Sequence, residues 1–383
     1  PSLPGIDRLV RSAVMYGPNA AGKTNVLFAL QFLKNLVVGS AAAQQGMPIP
    51  YTPFKLSKAT RDAPGKLQIT FSQGGVLYEY TVTVSSTRVH FEELVAYPKN
   101  RPQRLFQRTY VPKRDSYEWR FSANLTGKRS VWRDATRSNA LFLSTAIQLN
   151  NLQLVPIFEW FQKRLVVVVG ASQMNPGLTL KMLDEPQGKA SLLTLLQAAD
   201  FGISDLEMRR EPLIPGAAIA GSPIIEHQPG SSLPSVVHIT SFHIADDPGE
   251  RVGLDISEES NGTQALFRTA GAWFNVLKNG EVLLVDEIDT SLHPLLTRHL
   301  VELFHSADTN PHRAQLLFNT HDTSLLDTEI FRRDQVWFVE KDKKGSSHVY
   351  PLSEFQPRKD EVVGRGYLRG RYGALPIISE VQP

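Results

Sequence analysis

The chain has 383 residues, enough for one large domain with insertions or for two domains. Its 42% apolar and 21% charged residues exclude a chain that is disordered throughout, and the absence of cysteine excludes disulfides, cysteine-ligated zinc and a cysteine nucleophile. The net charge of +3 permits a nucleic-acid partner without requiring one, and no apolar run approaches the roughly 20 residues of a membrane span, so we expect a cytoplasmic protein with no membrane partner.

The first motif lies at residues 17–24, which match the pattern G-x-x-x-x-G-K-[ST] of phosphate-binding loops. A short apolar segment typical of a buried parallel strand precedes it, and apolar residues at helical spacing follow it from Val26 to Val37. The backbone amides of such a loop bind phosphates, while Lys23 reaches the β- and γ-phosphates and Thr24 contributes its hydroxyl to Mg²⁺. The residues expected to bind ATP and Mg²⁺ in this loop are Gly17, Asn19, Ala20, Ala21, Gly22, Lys23 and Thr24.

The segment after the loop helix has the alternation typical of β-structure. Residues 67–71 and 76–84, on either side of two consecutive glycines, predict a β-hairpin. Residues 91–97 and 104–110 are expected to continue the same antiparallel sheet.

The middle of the chain changes character. From about residue 126 to 210 the apolar period becomes helical, and residues 212–235 are rich in Pro, Gly and Ser, as in an exposed loop or linker. Strand-like segments then return at 236–243 and 252–256. We therefore predict three regions: a phosphate-loop lobe with an antiparallel β subdomain at 1–125, a helical insertion with its linker at 126–235, and a third lobe with a basic C-terminal tail at 236–383.

A second motif opens a helix near residue 264. Ser260, Asn261 and Thr263 are residue types that commonly cap helix N-termini, because their short polar side chains accept hydrogen bonds from the first free amides. Gly262 lies among them.

Acidic residues end the next apolar strand. Residues 282–285 are apolar and are followed by Asp286 and Glu287, and ligands in open α/β sheets bind at that end of the strands. We expect Asp286 to hold Mg²⁺. Glu287 is the candidate general base that polarises the attacking water; the alternative is a solvated carboxylate at the strand end. His321, after the strand at 315–320, is expected to sense or position the γ-phosphate, although a lone histidine is more often structural.

The C-terminal tail at 364–373 is basic and aromatic, and we expect it to be flexible. Two alternative roles remain open for the tail. In the first, its side chains contact nucleic acid. In the second, which we favour, the tail packs on the rest of the domain or on a partner. The residues concerned are Arg365, Tyr367, Arg369, Arg371 and Tyr372.

Together these motifs resemble the heads of ABC-type ATPases, in which a phosphate loop, a signature, an Asp-Glu strand and a switch histidine follow in this order. Residues 259–263 stand where that family has L-S-G-G-Q; Ser260 and Gly262 match, whereas Asn261 and Thr263 depart. The resemblance implies an α/β fold with a parallel sheet, and a head-to-tail dimer in which Ser260, Asn261 and Gly262 cap the ATP of the opposite subunit.

A closer resemblance is to a bacterial subfamily of such ATPases, of the RloA/AbiL type, found in phage defence and abortive infection. It implies an ATPase that forms a homodimer or higher homo-oligomer and controls a separate toxic effector, a nuclease or toxin. The segments that carry this resemblance are 17–19, 53–56, 259–263, 286–294, 320–323, 337–341 and 367–374.

Other P-loop classes fit less well. A transporter subunit has far fewer residues between phosphate loop and signature, a long-armed chromosome-maintenance ATPase needs extended heptads, and a GTPase needs an N-K-x-D motif. A nuclease of the overcoming-lysogenization type carries a further acidic domain after the histidine, for which too few residues remain. Two alternatives stay open: a DNA-repair or recombination ATPase, and a scaffold locked by nucleotide with negligible turnover.

Overall fold

A computed structural model describes residues 9–171, 174–199, 202–213, 224–227, 233–246, 250–356 and 362–375. Its strands are β1 (Ser12–Tyr16), β2 (Gly65–Gln73), β3 (Val76–Val84), β4 (Val89–Tyr97), β5 (Gln103–Val111), β6 (Ser116–Phe121), β7 (Leu165–Val168), β8 (Ile203–Pro212), β9 (Ile224–Glu226), β10 (Ser235–Ile244), β11 (Arg251–Asp255), β12 (Val282–Val285), β13 (Gln315–Asn319), β14 (Val336–Lys341) and β15 (Ser347–Pro351). Its α-helices are α1 (Lys23–Gly39), α2 (Lys58–Arg61), α3 (Arg129–Ala135), α4 (Phe142–Gln148), α5 (Val155–Glu159), α6 (Gly177–Leu183), α7 (Pro186–Ala198), α8 (Asn261–Asn279), α9 (Pro294–His305) and α10 (Val363–Leu368). A π-helical turn, Trp160–Arg164, joins α5 to β7.

The largest sheet has the strand order β15-β14-β1-β13-β12-β7. All its strand pairs are parallel except β14 with β15. Because parallel strands run in one direction, the loops that follow β1, β13 and β12 leave the sheet at the same edge, with β13 in the middle. The predicted α/β fold with a parallel sheet is confirmed.

Two cores lie on the two faces of this sheet. On one face α1 packs with the antiparallel sheet, through buried residues such as Leu27 and Tyr80. On the other face α8 and α9 pack through buried residues such as Trp273 and Phe304. The apolar side chains of β1 alternate between the two cores, Val14 in one and Met15 in the other, as expected of a strand that is covered on both sides.

The antiparallel sheet runs β2-β3-β4-β5-β6, so the predicted hairpin and its extension are confirmed. Strand β6 was not expected from the sequence. The region 126–235 is less purely helical than predicted, because β7 pairs with β12 in the main sheet, and β8 and β9 pair with β10 in a third sheet. Of the predicted linker, residues 214–223 and 228–232 lie outside the described residues. The three regional boundaries stay a prediction.

The C-terminal tail packs against the domain, so the expectation of flexibility is wrong for residues 364–373, all of which the structure describes. Tyr367 and Tyr372 are buried, and their rings stack on Phe338 of β14 with centroids 5.4 and 5.7 Å away. These two rings therefore cannot stack on bases in this arrangement. Arg365, Arg369 and Arg371 remain exposed.

In the parts of the chain that the structure describes, no helix combines the length and apolar composition needed to cross a membrane.

Candidate active site

The phosphate-binding loop connects β1 to α1. Gly22 lies at φ +107°, a backbone conformation that favours glycine, and no side chain caps the start of α1 in the described structure. The first amides of the helix are therefore available to an anion. The side chain of Lys23 is buried, and its Nζ donates hydrogen bonds to the carbonyls of Gly17 at 2.8 Å and Pro18 at 3.2 Å.

The hairpin of β14 and β15 supports this loop from one side. A side chain at Gly17 would overlap the Val339 carbonyl, and one at Gly22 would overlap the Ser347 hydroxyl. Ser347 Oγ donates to the Ala21 carbonyl at 2.6 Å. Ser347 belongs to no recognisable sequence motif, because only the fold brings β15 beside the loop.

The acidic pair follows β12, two strands away from β1. Asp286 is half-buried and Glu287 is exposed. Glu287 has φ +50°, a left-handed conformation that costs a residue other than glycine about 1 kcal/mol or more. Thr290 Oγ1 donates to its carboxylate at 3.4 Å, a long contact that leaves the acid free to bind elsewhere.

A fully buried amide, Asn319 at the end of β13, fixes this acidic turn. Its Nδ2 donates to Asp286 Oδ1 at 2.5 Å, and its Oδ1 accepts from the backbone N–H of Glu287 at 2.7 Å. Its backbone carbonyl also accepts from the N–H of Ile288 at 3.2 Å. Sequence reasoning missed Asn319; the available signal was a polar residue ending an apolar strand just before His321.

The lysine and the acids share one electrostatic environment. Burial lowers the pKa of Lys23, and the negative charges of Glu287, Asp286 and Asp289 act in the opposite direction. Opposite charges nearby favour the charged form of a lysine and so raise its pKa. The strand order β1-β13-β12 places Lys23 and the acids at one edge of the sheet, although they are separated by more than 260 positions in the chain.

Hydrogen bonds connect the residues that follow β13 to the loop after β12 and to the end of β1. His321 is exposed, and its backbone N–H donates to Asp289 Oδ2 at 3.2 Å. The hydroxyl of Tyr16, at the end of β1, donates to the Asp322 carbonyl at 2.9 Å. Burial and the charges of Asp322 and Asp289 raise the pKa of Tyr16 well above its ordinary value, so this hydroxyl keeps its proton.

The oxygen atoms at this edge fit a hard divalent cation. Thr24 is half-buried in the first turn of α1, and Asp286 is held by Asn319 through one oxygen only. Asp289 Oδ1 is buried without a hydrogen-bond partner. Mg²⁺ prefers one or two carboxylates together with phosphates and water, so the residues present suit a magnesium–nucleotide complex.

A protein-family model described as "AAA domain, putative AbiEii toxin, Type IV TA system" matches residues 12–327, well over half of the chain. The chain belongs to this family. It therefore carries a P-loop AAA ATPase domain of the abortive-infection and toxin–antitoxin kind, and the predicted relation to defence ATPases is confirmed at that level. No curated protein matches the chain.

The segment at 259–263, which resembles an ABC signature in sequence, leads into the start of α8. Ser260 caps the helix, its Oγ accepting from the Thr263 N–H at 3.1 Å. Ser260 and Asn261 are exposed, whereas Gly262 is buried where a side chain would overlap the Ser291 carbonyl. This segment therefore lies against the loop that follows the acids. It begins the helix that covers the opposite face of the sheet from α1.

The histidines His293 and His299 lie at α9, outside this edge. His293 Nδ1 accepts from the Leu295 N–H at 3.2 Å and caps α9. His299 is exposed on the same helix. Over the described ranges no group of three or more His, Asp or Glu side chains is placed to hold a metal ion.

Proposed function

We propose that the chain is an ABC-type ATPase that binds ATP with Mg²⁺ and hydrolyses it slowly at a head-to-tail dimer interface. One observation carries the proposal: the parallel order β1-β13-β12 places the phosphate loop with Lys23 on the same sheet edge as Asp286 and Glu287, two strands away. Membership of an AAA ATPase family supports it.

In this proposal each residue has a defined task. The amides of 17–24 bind the phosphates, and Lys23 balances the charge of the β- and γ-phosphates. Thr24 and Asp286 hold Mg²⁺, which when bound neutralises phosphate charge. Glu287 accepts the proton of the attacking water, and His321 contacts the γ-phosphate from the strand between them.

The dimer completes the site in this proposal. Ser260, Asn261 and Gly262 present a helix N-terminus, where backbone amides and the helix dipole favour an anion. Two of the three residues are exposed and thus available to a second subunit. Because α8 and α1 cover opposite faces of the sheet, a second chain supplies the signature that caps each nucleotide.

The biological role we propose is regulation of a separate effector, a nuclease or toxin, in cytoplasmic defence against phage. The family description names a type IV toxin–antitoxin system, which supports a partner protein. The same description names a toxin, so the alternative that this chain is itself toxic is one outcome of the experiments below.

Two substitutions test the ATPase. Lys23→Ala should abolish nucleotide binding, because it removes the cation that faces the phosphates. Glu287→Gln should keep binding and lower turnover about 10²–10⁴-fold, because an amide keeps the shape but accepts no proton. Fluorescent-nucleotide titration and phosphate release measure the two steps, and Glu329→Gln, an exposed glutamate elsewhere, is the matched control. Hydrolysis by Glu287→Gln at the wild-type rate would show that another group is the base.

A further inference from the structure

A cavity of about 180 Å³ lies at the C-terminal end of α1. The last turns of the helix form one wall, through Phe32, Leu36 and Gly39, and residues of the segment 43–50 form the other. The two ends of this 17-residue helix are about 24 Å apart at a rise of 1.5 Å per residue. The cavity contains no residue of the phosphate loop or of the acidic turn, so it is separate from the proposed ATP site.

The second wall is fixed to the rest of the domain at both of its ends. At one end the Ser40 hydroxyl accepts from the Leu141 N–H at 3.0 Å. At the other end the N–H of Ile49 donates to the Ser86 carbonyl at 2.8 Å, and the prolines on either side of Ile49 restrict the backbone there. The cavity is therefore preformed, and a ligand does not have to order its walls.

One polar group of the lining, the amide of Asn139, is almost wholly buried, at 3% exposure. Its Nδ2 donates to the carbonyls of Gln44 at 2.8 Å and Met47 at 3.0 Å. These two bonds fix the orientation of the amide, because the reverse orientation would set its oxygen against both carbonyls. Asn139 Oδ1 is buried without a hydrogen-bond partner in the described part of the chain. A buried acceptor without a donor is costly, so this oxygen suits a ligand that carries one.

The size and the lining of the cavity suit one aromatic ring. Apolar cavities of about 150 Å³ bind benzene, so this volume accommodates a ring with one small substituent. None of the described residues that line the cavity is charged, which favours a neutral ligand over an ion. The side chain of Met47 is 51% exposed, and a flexible thioether makes favourable contacts with aromatic rings.

We propose that this cavity binds a neutral aromatic molecule of about the size of phenol, which donates one hydrogen bond from an O–H or N–H to Asn139 Oδ1. The site goes beyond the proposed ATPase and does not depend on it. Its ligand contacts the far end of the helix that begins in the phosphate loop.

Fluorine NMR of the full chain tests the ligand class, with 4-fluorophenol as the probe. The wild type should broaden the fluorine signal of 4-fluorophenol in a saturable manner. It should bind 4-fluoroanisole about tenfold or more weakly, because a methyl group replaces the proton and Oδ1 stays without a donor. The absence of saturable binding of 4-fluorophenol overturns the site, and equal affinity for the two probes overturns the hydrogen bond to Asn139.

Filling the cavity should abolish binding of the probe. Ala43 is half-buried and lines the cavity, so Ala43→Leu places a larger side chain inside it. Gly39→Leu is a second filling variant, because a side chain at Gly39 begins in open space. Ala42→Leu is the matched control, since Ala42 is exposed and does not line the cavity. Thermal unfolding shows whether each variant is folded. Probe binding that survives in folded filling variants overturns the inference.

A second measurement locates the probe in the wild type. The chain has five methionines, whose methyl groups can be labelled with ¹³C. The ring of 4-fluorophenol should shift the methyl signal of Met47, which Met47→Leu assigns by its loss. The signal of Met15, which is 2% exposed in the main sheet, should stay unchanged. A Met47 signal that does not move at saturating 4-fluorophenol places the probe elsewhere and overturns the inference.

Discussion

Asn319 bonds to both acids of the candidate active site, and it does so from another strand. Its amide joins the side chain of Asp286 to the backbone of Glu287. The left-handed backbone at Glu287 is costly, and a turn of this kind persists only where its surroundings hold it. Because Asn319 is fully buried, its hydrogen bonds do not compete with water. We infer that it positions the acids without touching the reactants.

Replacing this amide should separate turnover from binding. In Asn319→Ala the carboxylate of Asp286 and the N–H of Glu287 each lose a partner, so we expect kcat to fall about tenfold or more. The phosphate loop is untouched, so the KM for ATP should change by less than about threefold. Steady-state kinetics measure both, with the exposed Asn279→Ala as control. Equal losses in kcat and ATP affinity would indicate general damage to the site.

The sequence predicts the residues of the site that belong to local motifs. The loop at 17–24 and the pair Asp286 and Glu287 are recognisable because their spacing along the chain encodes their chemistry. Asn319 and Ser347 are not, because their partners lie on other strands and only the pairing of β1, β13 and β14 brings them there. Which strands pair with one another, and in which register, cannot be recognised from one short segment of sequence.

At the scale of elements, a buried ion pair joins the antiparallel sheet to α4. Glu92 on β4 and Arg108 on β5 are both fully buried, 3.2 Å apart. Glu92 also accepts from the first amides of α4, Phe142 at 2.7 Å and Leu143 at 3.0 Å. Arg108 donates to the Ala140 carbonyl, just before that helix. The buried ion pair of Glu92 and Arg108 thus positions the start of α4 against the antiparallel sheet.

Removing one member of this pair should be costly. In Arg108→Met the carboxylate of Glu92 stays buried without its cation, and we expect the free energy of unfolding to fall by about 3–5 kcal/mol. The neighbouring pair Arg104 and Glu93 is partly exposed, so Arg104→Met should cost about 1 kcal/mol or less. Urea denaturation measures both. A similar small loss in the two variants would show that Arg108 does not stabilise the fold through its charge.

The spacing of apolar residues predicts helices and strands that expose one face or are wholly apolar. It does not predict segments whose structure depends on contacts with distant parts of the chain. The helix α1 and the strands β3 and β12 follow such patterns. The tail at 362–375 does not, because its charges suggest a solvated segment while Tyr367 and Tyr372 fill a space on β14 that only the folded sheet creates. Strand β7 lies in a region whose apolar spacing predicts helices, and only the folded chain shows that it joins the main sheet.

At the scale of the whole molecule, one chain alone provides only half of the proposed ATP site. The phosphate loop precedes α1 on one face, and the signature begins α8 on the other. In the proposed dimer, a second copy related by a two-fold axis supplies the missing half to each subunit, as closed symmetric dimers do. Assembly should therefore depend on ATP and should be most stable when hydrolysis is blocked.

Ser260→Arg tests this dimer directly. A large cation on the exposed cap of α8 should block pairing by its size, while the distant phosphate loop still binds ATP. Light scattering in the Glu287→Gln background with ATP should show a dimer or larger oligomer, and a monomer once Ser260→Arg is added. Ser353→Arg, at another exposed serine, should leave pairing unchanged. A monomer in the Glu287→Gln background with ATP would contradict the head-to-tail proposal.

The final prediction concerns what the molecule does to its host. If the chain regulates an effector, the purified protein should leave DNA and RNA intact with ATP and either Mg²⁺ or Mn²⁺. Cells that express the chain together with its genomic neighbour should stop growing or die on phage infection, whereas cells that express the chain alone should not. The reason is that the proposed ATP-bound dimers restrain a second protein, which is the toxic one. Exposed surfaces of the region 126–235 and the arginines Arg365, Arg369 and Arg371 are the expected contacts with that effector. Nucleic-acid cleavage by the chain alone, abolished by a point mutation that spares its ATPase, would instead make this chain the toxin.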